Sequence, residues 1–378
     1  MPDSYLLNDT TRARDVPDYP LPGQSYIKSN PATTNMINST DALDSIASES
    51  SPQNDNTWSL VEHTQIVLAI YILTFVTGLP SNLLAFYAFL VKVRKKPTPV
   101  DILLLNLTIS DLLLLMFLPL KMKEAADGML WNMPIFLCPL TGFCYYSSIY
   151  ISTLFLTAVS IERYLGVAHP IKYKLHRKPE YAIFASICFW LLACAHCSVV
   201  YIVQYCVDSR VKSFNETKCY DNFTEEQLKI LLPVRLELGV TLFFIPSIIT
   251  LFCYINFIRI LTSLPNIQKK RKQRAIGLAI ATLANFCICF APYNISHIVG
   301  FVNGKSPKWR VDALLLSTFN ATLDPVVFYF TSTAVQKTFF DFLVAILRKL
   351  GRLCPFKRFW PSPGEPPYND SNLDRSST

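Results

Sequence analysis

Seven stretches of this 378-residue chain are apolar over about twenty residues or more, at about 63–90, 100–121, 135–161, 182–206, 232–261, 276–302 and 311–333. At 1.5 Å per residue, about twenty helical residues cross a hydrocarbon core of about 30 Å, and runs this long exceed what an ordinary core helix carries. A segment in lipid must satisfy its own backbone hydrogen bonds, and these runs are about twice the length of a barrel strand, so helices are the expected element. The expected fold class is an all-α membrane protein, a seven-transmembrane helix bundle. Composition agrees: 51% of residues are hydrophobic and 16% charged, against about 25% charged in soluble domains. Eleven glycines leave little for phosphate-cradling loops or turn-rich β domains, and no nucleotide-binding fingerprint occurs.

The ends read differently. Residues 1–60 are rich in Asn, Asp, Ser, Thr and Pro and lack the apolar content to fold alone. They show no signal-peptide pattern, so export is expected to depend on the first span. Basic residues crowd alternate loops: Lys92, Arg94, Lys95 and Lys96 after span 1; Lys172, Lys174, Arg177 and Lys178 after span 3; Lys269, Lys270, Arg271, Lys272 and Arg274 after span 5. By the positive-inside rule these loops are cytoplasmic, which puts the N terminus outside and the C terminus inside. The net charge of +8 thus belongs to a membrane surface, and no nucleic acid is expected as a partner.

Glycosylation sequons at Asn8, Asn38, Asn215 and Asn222 fall on the outer side, whereas those at Asn106, Asn294, Asn320 and Asn369 read as chance matches. After residues 61–334, the seven-span body, residues 335–350 are apolar but carry Lys337, Asp341, Arg348 and Lys349. They suit an amphipathic helix lying on membrane lipid. A cytoplasmic tail, 351–378, follows, where Cys354 is a candidate palmitoylation site or a plain thiol.

Most of the eleven cysteines lie inside spans and suit packing, with no metal-binding spacing. Cys138 and Cys219 fall on the oxidising side, where a bond between them would pin the loop after span 4 over the bundle mouth. Inside the membrane an ionisable group needs a partner or a task. Asp111 and Asp324 are both deep, with Ser152 and Asn320 as oxygen neighbours. A sodium ion or a shared proton would reconcile two adjacent carboxylates; two acids on separate faces is the alternative. No other cofactor is expected.

The outer half carries His196 in span 4, Arg235 at the outer start of span 5, His297 in span 6 and Arg310 at the outer start of span 7, with Tyr146 and Tyr293 as further donors. Arginine takes a carboxylate bidentately and stays charged when desolvated, so two facing one cavity would select an acid. Alternatively each arginine snorkels to water or pairs with Asp221, Glu237 or Asp312. Glu237 and Asp312 stand two residues from an arginine and face away on a helix.

Taken jointly, Asn82, Asp111, Cys138, Glu162-Arg163-Tyr164, Trp190, Pro246, Tyr254, the 286–292 stretch FCICFAP and the 324–328 stretch DPVVF resemble the rhodopsin-like (class A) G-protein-coupled receptors over about residues 60–350. Phe290 stands where that family usually has Trp, and Asp324 and Phe328 replace Asn and Tyr. The resemblance assigns Glu162, Arg163 and Tyr164 to G-protein coupling. The basic run 269–274 lacks the acid that often holds the arginine at rest. Glu162 is then the expected partner of Arg163, and ligand-independent activity is expected. Prolines 246, 292 and 325 are expected to kink spans 5, 6 and 7.

Within that class, YSSIY (146–150), SIERYLGVAHP (160–170), IVQY (202–205), LPVRLEL (232–238), APYNISHIVG (291–300) and KSPKWR (305–310) resemble the free fatty acid receptors, particularly short-chain members 2 and 3; CYDNFTEEQL (219–228) leans toward receptor 2. The resemblance implies a plasma-membrane receptor for acetate, propionate or butyrate. It makes Arg235, Arg310, His297, His196, Tyr146 and Tyr293 the ligand set, with Gi and Gq proteins and arrestin as partners. Tyr201 is a candidate wall for the ligand's alkyl chain. A receptor activated by cleavage of its long arm, or one for another small acid, is the alternative. No nucleophile, base and orienter set marks an enzyme, and no inverted repeat marks a transporter.

Overall fold

The computed structural model describes residues 53–202, 219, 223–265 and 268–353. Asn8, Asn38, Asn215, Asp221, Asn222 and Cys354 lie outside the described residues, as do residues 1–52 and 354–378, the greater part of the arm and tail. Among the described residues, seven helices are long and apolar enough to cross a membrane. They are α1 (Gln53–Lys95, apolar from Glu62), α2 (Pro99–Ala126), α3 (Leu137–Ala168), α4 (Pro179–Cys197), α5 (Glu225–Ser263), α6 (Lys269–Asn303) and α7 (Arg310–Thr331). A further helix, α8, spans Thr333–Leu353, and short turns of helix cover Pro170–His176 and Val199–Ile202. No strand occurs among the described residues. Asn56–Thr378 forms one compact unit; of the preceding unit, Met1–Asp55, only the first residues of the α1 helix are described.

Several helices run past their apolar runs because polar residues cap them. Thr98 accepts the Asp101 N–H ahead of Pro99, and Lys92 closes the α1–α2 turn on Asp101 at 2.7 Å. Thr224 and Gln227 form a reciprocal capping box, so α5 begins before the apolar run at 232. At the end of α6, Gly304 takes φ 66°, a left-handed cap that suits glycine. Span 4 was expected to continue to about 206, yet α4 stops at Cys197. Ser198 turns its hydroxyl back to the Ala195 carbonyl, and the chain restarts as the separate turn Val199–Ile202.

Helix α3 is the axis of the bundle: 83% of its apolar stretch is buried, against 22% for α4. Large apolar side chains such as Val76, Phe184, Ile248 and Val326 are exposed on the outside, the surface expected where lipid is the solvent. Pro246 and Pro325 sit in helices that carry an irregularity, whereas α6 runs unbroken through Pro292. Pro246 follows a π-helical turn, Val240–Phe244. Near Pro292, the Cys289 carbonyl accepts the Ser317 hydroxyl at 2.9 Å. Pro325 has no N–H for the Ala321 carbonyl four residues back; Asn82, fully buried on α1, donates to that carbonyl at 2.6 Å. Helix α7 is also interrupted at Phe319.

The two aromatic departures are packed rather than open. Phe290 lies edge-on to Phe286, which stacks on Phe243, and Phe328 lies edge-on to Phe89. Cys138 and Cys219 are disulfide-bonded with Cα atoms 5.7 Å apart, in a satellite cluster with Trp131. On α8, Phe340, Phe342, Leu343 and Leu347 are exposed while Tyr329 of α7 meets Phe339 edge-on, so the helix is tied to α7 and keeps an uncovered apolar side.

Candidate functional site

Arg235 does not stand at the outer mouth of span 5. The capping box starts α5 at Glu225, which places Arg235 almost three turns into the helix and 5% exposed, while Arg310, first residue of α7, is 6% exposed. Neither guanidinium snorkels to water. The acids two residues along do turn away: Glu237 meets His196 Nδ1 at 3.0 Å and Asp312 meets His63 Nε2 at 2.7 Å.

Both arginines line one small cavity with Tyr146, Tyr150, Tyr293 and His297, closed by Cys197, Val199, Leu231 and Leu238; its volume is about 20 Å³. That is roughly the room of one or two water molecules. Arg310 Nη2 lies 3.5 Å from the Tyr146 hydroxyl and 3.4 Å from that of Tyr293, with its guanidinium over the Tyr293 ring at 5.6 Å. Arg235 donates to Ser306 at 2.9 Å and lies over Phe223 at 5.0 Å. Tyr146 and Tyr293 stack in parallel, and Tyr293 meets His297 edge-on. The arrangement presents two fixed cations and several neutral donors to a space a few atoms wide. In such a low-dielectric setting charge–charge interactions are several times stronger than in water.

Five of the six expected ligand residues converge here; His196 does not. It is a partly exposed residue of α4 tied to Glu237. Tyr150 joins the set instead, its hydroxyl 3.1 Å from His297 Nε2. It follows Tyr146 by four residues, one helical turn on the same face, a signal present in the sequence. Tyr201 packs on Phe143 and is not a wall of this cavity; Leu231, Leu238 and Val199 are.

Deeper in the bundle Asn320 donates to Asp324 at 2.8 Å, and Asn285 donates to both Asp324 and Asn320 at 3.1 and 2.9 Å. Asp111 bonds to Ser152 and lies near enough to Asp324 to interact with it, so the two acids share one locus. Its second oxygen, Oδ2, is buried with no hydrogen-bond partner among the described residues. A buried carboxylate oxygen left open beside the Ser152 hydroxyl and a second carboxylate is a place that a sodium ion or a proton would suit. Asn285, one of two amides in the apolar α6 stretch with Asn294, was the residue not anticipated.

At the opposite end, Arg163 donates to the Thr331 hydroxyl of α7 at 3.1 Å, and Glu162 accepts the Tyr173 hydroxyl from the loop helix. The expected Glu162–Arg163 pairing is therefore not formed: each finds a partner on a different element, one supplied by α7 and one by the helix after α3. Burial, then Glu162, pushes the Tyr173 phenol up, which keeps it a donor. Tyr164 meets Phe252 of α5 edge-on.

These features agree with what known proteins show. Residues 81–328 match the 7 transmembrane receptor (rhodopsin family) pattern. Free fatty acid receptor 3 of Homo sapiens is 50% identical over 73% of this chain and 80% of its own length. Free fatty acid receptor 2 of Mus musculus is 51% identical over 73% of this chain and 84% of its own. Free fatty acid receptor 1 of Macaca fascicularis is 32% identical over 70% and 90% respectively. Identities of 50% and 51% do not separate receptors 2 and 3 as relatives. The chain belongs to the rhodopsin family of seven-transmembrane receptors: a multi-pass plasma-membrane receptor rather than an enzyme, with a small-molecule ligand and heterotrimeric G proteins as its partners.

Proposed function

We propose that the chain is a receptor for short-chain carboxylic acids such as acetate, propionate and butyrate, which it binds between Arg235 and Arg310. The observation that carries this reading is the convergence of both buried guanidiniums on one cavity of about 20 Å³. A carboxylate fits the fork of each arginine, and the space beyond it suits only a short alkyl chain. The names of the relatives, free fatty acid receptors, support the same reading. Tyr146, Tyr150, Tyr293 and His297 orient the anion, and His196 acts only through Glu237.

Affinity is weak on this account. The best tiny ligands reach about 1.5 kcal/mol per non-hydrogen atom, which for the four of acetate is about 6 kcal/mol, a Kd of about 40 µM at tightest. Each further methylene adds about 0.8 kcal/mol where the wall yields. The arm faces outside, Arg163 and its neighbours face the cytoplasm, and Gi and Gq couple there. The Asp111, Ser152, Asn320 and Asp324 cluster holds a sodium ion or a shared proton at rest, with Asn285 as an added donor. Straight-chain acids from two to about twelve carbons, read by both cAMP inhibition and calcium release, test the reading. Responses confined to the short acids in both assays are expected; a preference for long acids, or silence to all, overturns it.

A further inference from the structure

The short connection from Gly304 to Trp309 joins α6 to α7 and meets both arginines of the outer cavity. One of them, Arg310, follows it directly and opens α7. The other, Arg235 of α5, donates from Nη1 to the hydroxyl of Ser306 at 2.9 Å. Three features fix where that hydroxyl stands. Gly304 turns the chain out of α6 with φ 66°. Gly300, buried in the last turns of α6, leaves room for the returning chain: a Cβ there would stand 3.5 Å from the Lys305 carbonyl, the Pro307 ring and Leu232 of α5, and a larger side chain would collide with them. The connection therefore lies down against α6 and α5. Finally, the Arg310 N–H bonds the Pro307 carbonyl at 3.1 Å, which ties the connection to the first turn of α7.

We infer that Ser306 is a positioning residue for the carboxylate site: its hydroxyl holds the Arg235 guanidinium, and the connection that carries it sets how Arg235 and Arg310 stand to one another. This role rests on the reading of the cavity as a carboxylate site. A guanidinium on a long flexible stem loses rotamer freedom when it grips a ligand, and a tether formed beforehand removes that cost from binding. Two contacts supply the tether. The ring of Phe223, 5.0 Å from the guanidinium carbon, sets the plane of the group, and the bond to Ser306 sets its rotation within that plane. The acceptor is neutral, so it orients Arg235 without cancelling its charge. A carboxylate in the same place would pair with the guanidinium and compete with the ligand. The acids two residues beyond each arginine are engaged elsewhere, Glu237 by His196 and Asp312 by His63, which leaves the hydroxyl to do the orienting.

The test uses the full-length purified receptor in nanodiscs, with equilibrium binding of labelled propionate and Tm without ligand as its two readouts. Ser306→Ala should weaken propionate binding about tenfold, the scale of one hydrogen bond to a charged group. Ser306→Thr keeps the hydroxyl and should stay within about threefold of wild type. Ser306→Asp places a carboxylate on Arg235 and should abolish propionate binding in a receptor whose Tm shows that it is folded. Ser306→Ala should also lower Tm when Arg235 is present and leave it unchanged in an Arg235→Ala background, a coupling that a residue serving only the loop would not show. Wild-type affinity in Ser306→Ala, a loss that threonine does not restore, full propionate binding by Ser306→Asp, or the same fall in Tm in both backgrounds overturns the inference. Absence of propionate binding in wild type overturns the carboxylate reading and the ligand role of Ser306 with it, while the Tm cycle still shows whether Ser306 holds Arg235.

Discussion

The bond from Asn82 to the Ala321 carbonyl makes a sharp stability prediction, because its need is created by another residue. Pro325 deprives that carbonyl of its helical donor, and Asn82 supplies one from α1 at 2.6 Å in a fully buried setting. Removing the amide in Asn82→Ala leaves a buried carbonyl unsatisfied, which costs about 1–3 kcal/mol. The other amide contact, to the Gly78 carbonyl at 2.9 Å, is less critical, since that carbonyl has its own helical donor in the Asn82 N–H. In a Pro325→Ala background the new N–H at 325 takes over Ala321, and Asn82→Ala should then cost little beyond lost packing. A double-mutant cycle on purified receptor in nanodiscs should give a coupling of about 1–2 kcal/mol. At about 2–4 °C per kcal/mol, Asn82→Ala alone should lower Tm by about 2–12 °C, and by less than half of that beside Pro325→Ala. Equal losses in both backgrounds would refute the reasoning.

At the inner end, Thr331→Ala removes the neutral acceptor of Arg163; at about 1 kcal/mol, ligand-independent G-protein activation should rise roughly fivefold, and unchanged basal signalling would show that the bond does not restrain the arginine. Tyr150→Phe removes the hydroxyl on His297 and should weaken propionate potency about three- to tenfold with expression intact, measured by cAMP inhibition. Leu238→Ala enlarges the apolar wall and should shift preference from propionate toward longer acids by a few-fold per added methylene, scored on the same acid series. Asp111→Asn should abolish any dependence of agonist affinity on sodium, read by radioligand competition with sodium exchanged for a large organic cation.

The bundle was legible because its signal is redundant: each span repeats the same apolar message for about twenty residues, so no single residue decides it. Helix ends were less legible, since Thr98, Thr224 and Ser198 act through local hydrogen bonds that override hydropathy. The candidate ligand set drew notice through charges placed where charges are expensive, and Arg235, Arg310, His297, Tyr146 and Tyr293 do line one cavity. Contacts between residues far apart in the chain were not readable in the same way. His196 turned to Glu237, Glu162 to Tyr173 and Arg163 to Thr331, because a side chain's partner depends on how neighbouring helices are rotated, which periodicity alone does not fix. The depth of Arg235 was missed for a related reason: the capped polar start of α5 adds nearly two turns before its apolar run.

The central claim is that Arg235 and Arg310 together hold a carboxylate. Equilibrium binding of isotope-labelled propionate to the purified receptor, set against uncharged propionamide and against Arg235→Ala and Arg310→Ala, tests it most directly. Losing one partner of a buried, hydrogen-bonded charge pair costs about 2–5 kcal/mol, most of what so small a ligand can gain. Saturable binding of propionate to wild type, with none of propionamide and none in either variant, is predicted. Propionate binding retained in both variants, or propionamide binding as tightly as propionate, would contradict it.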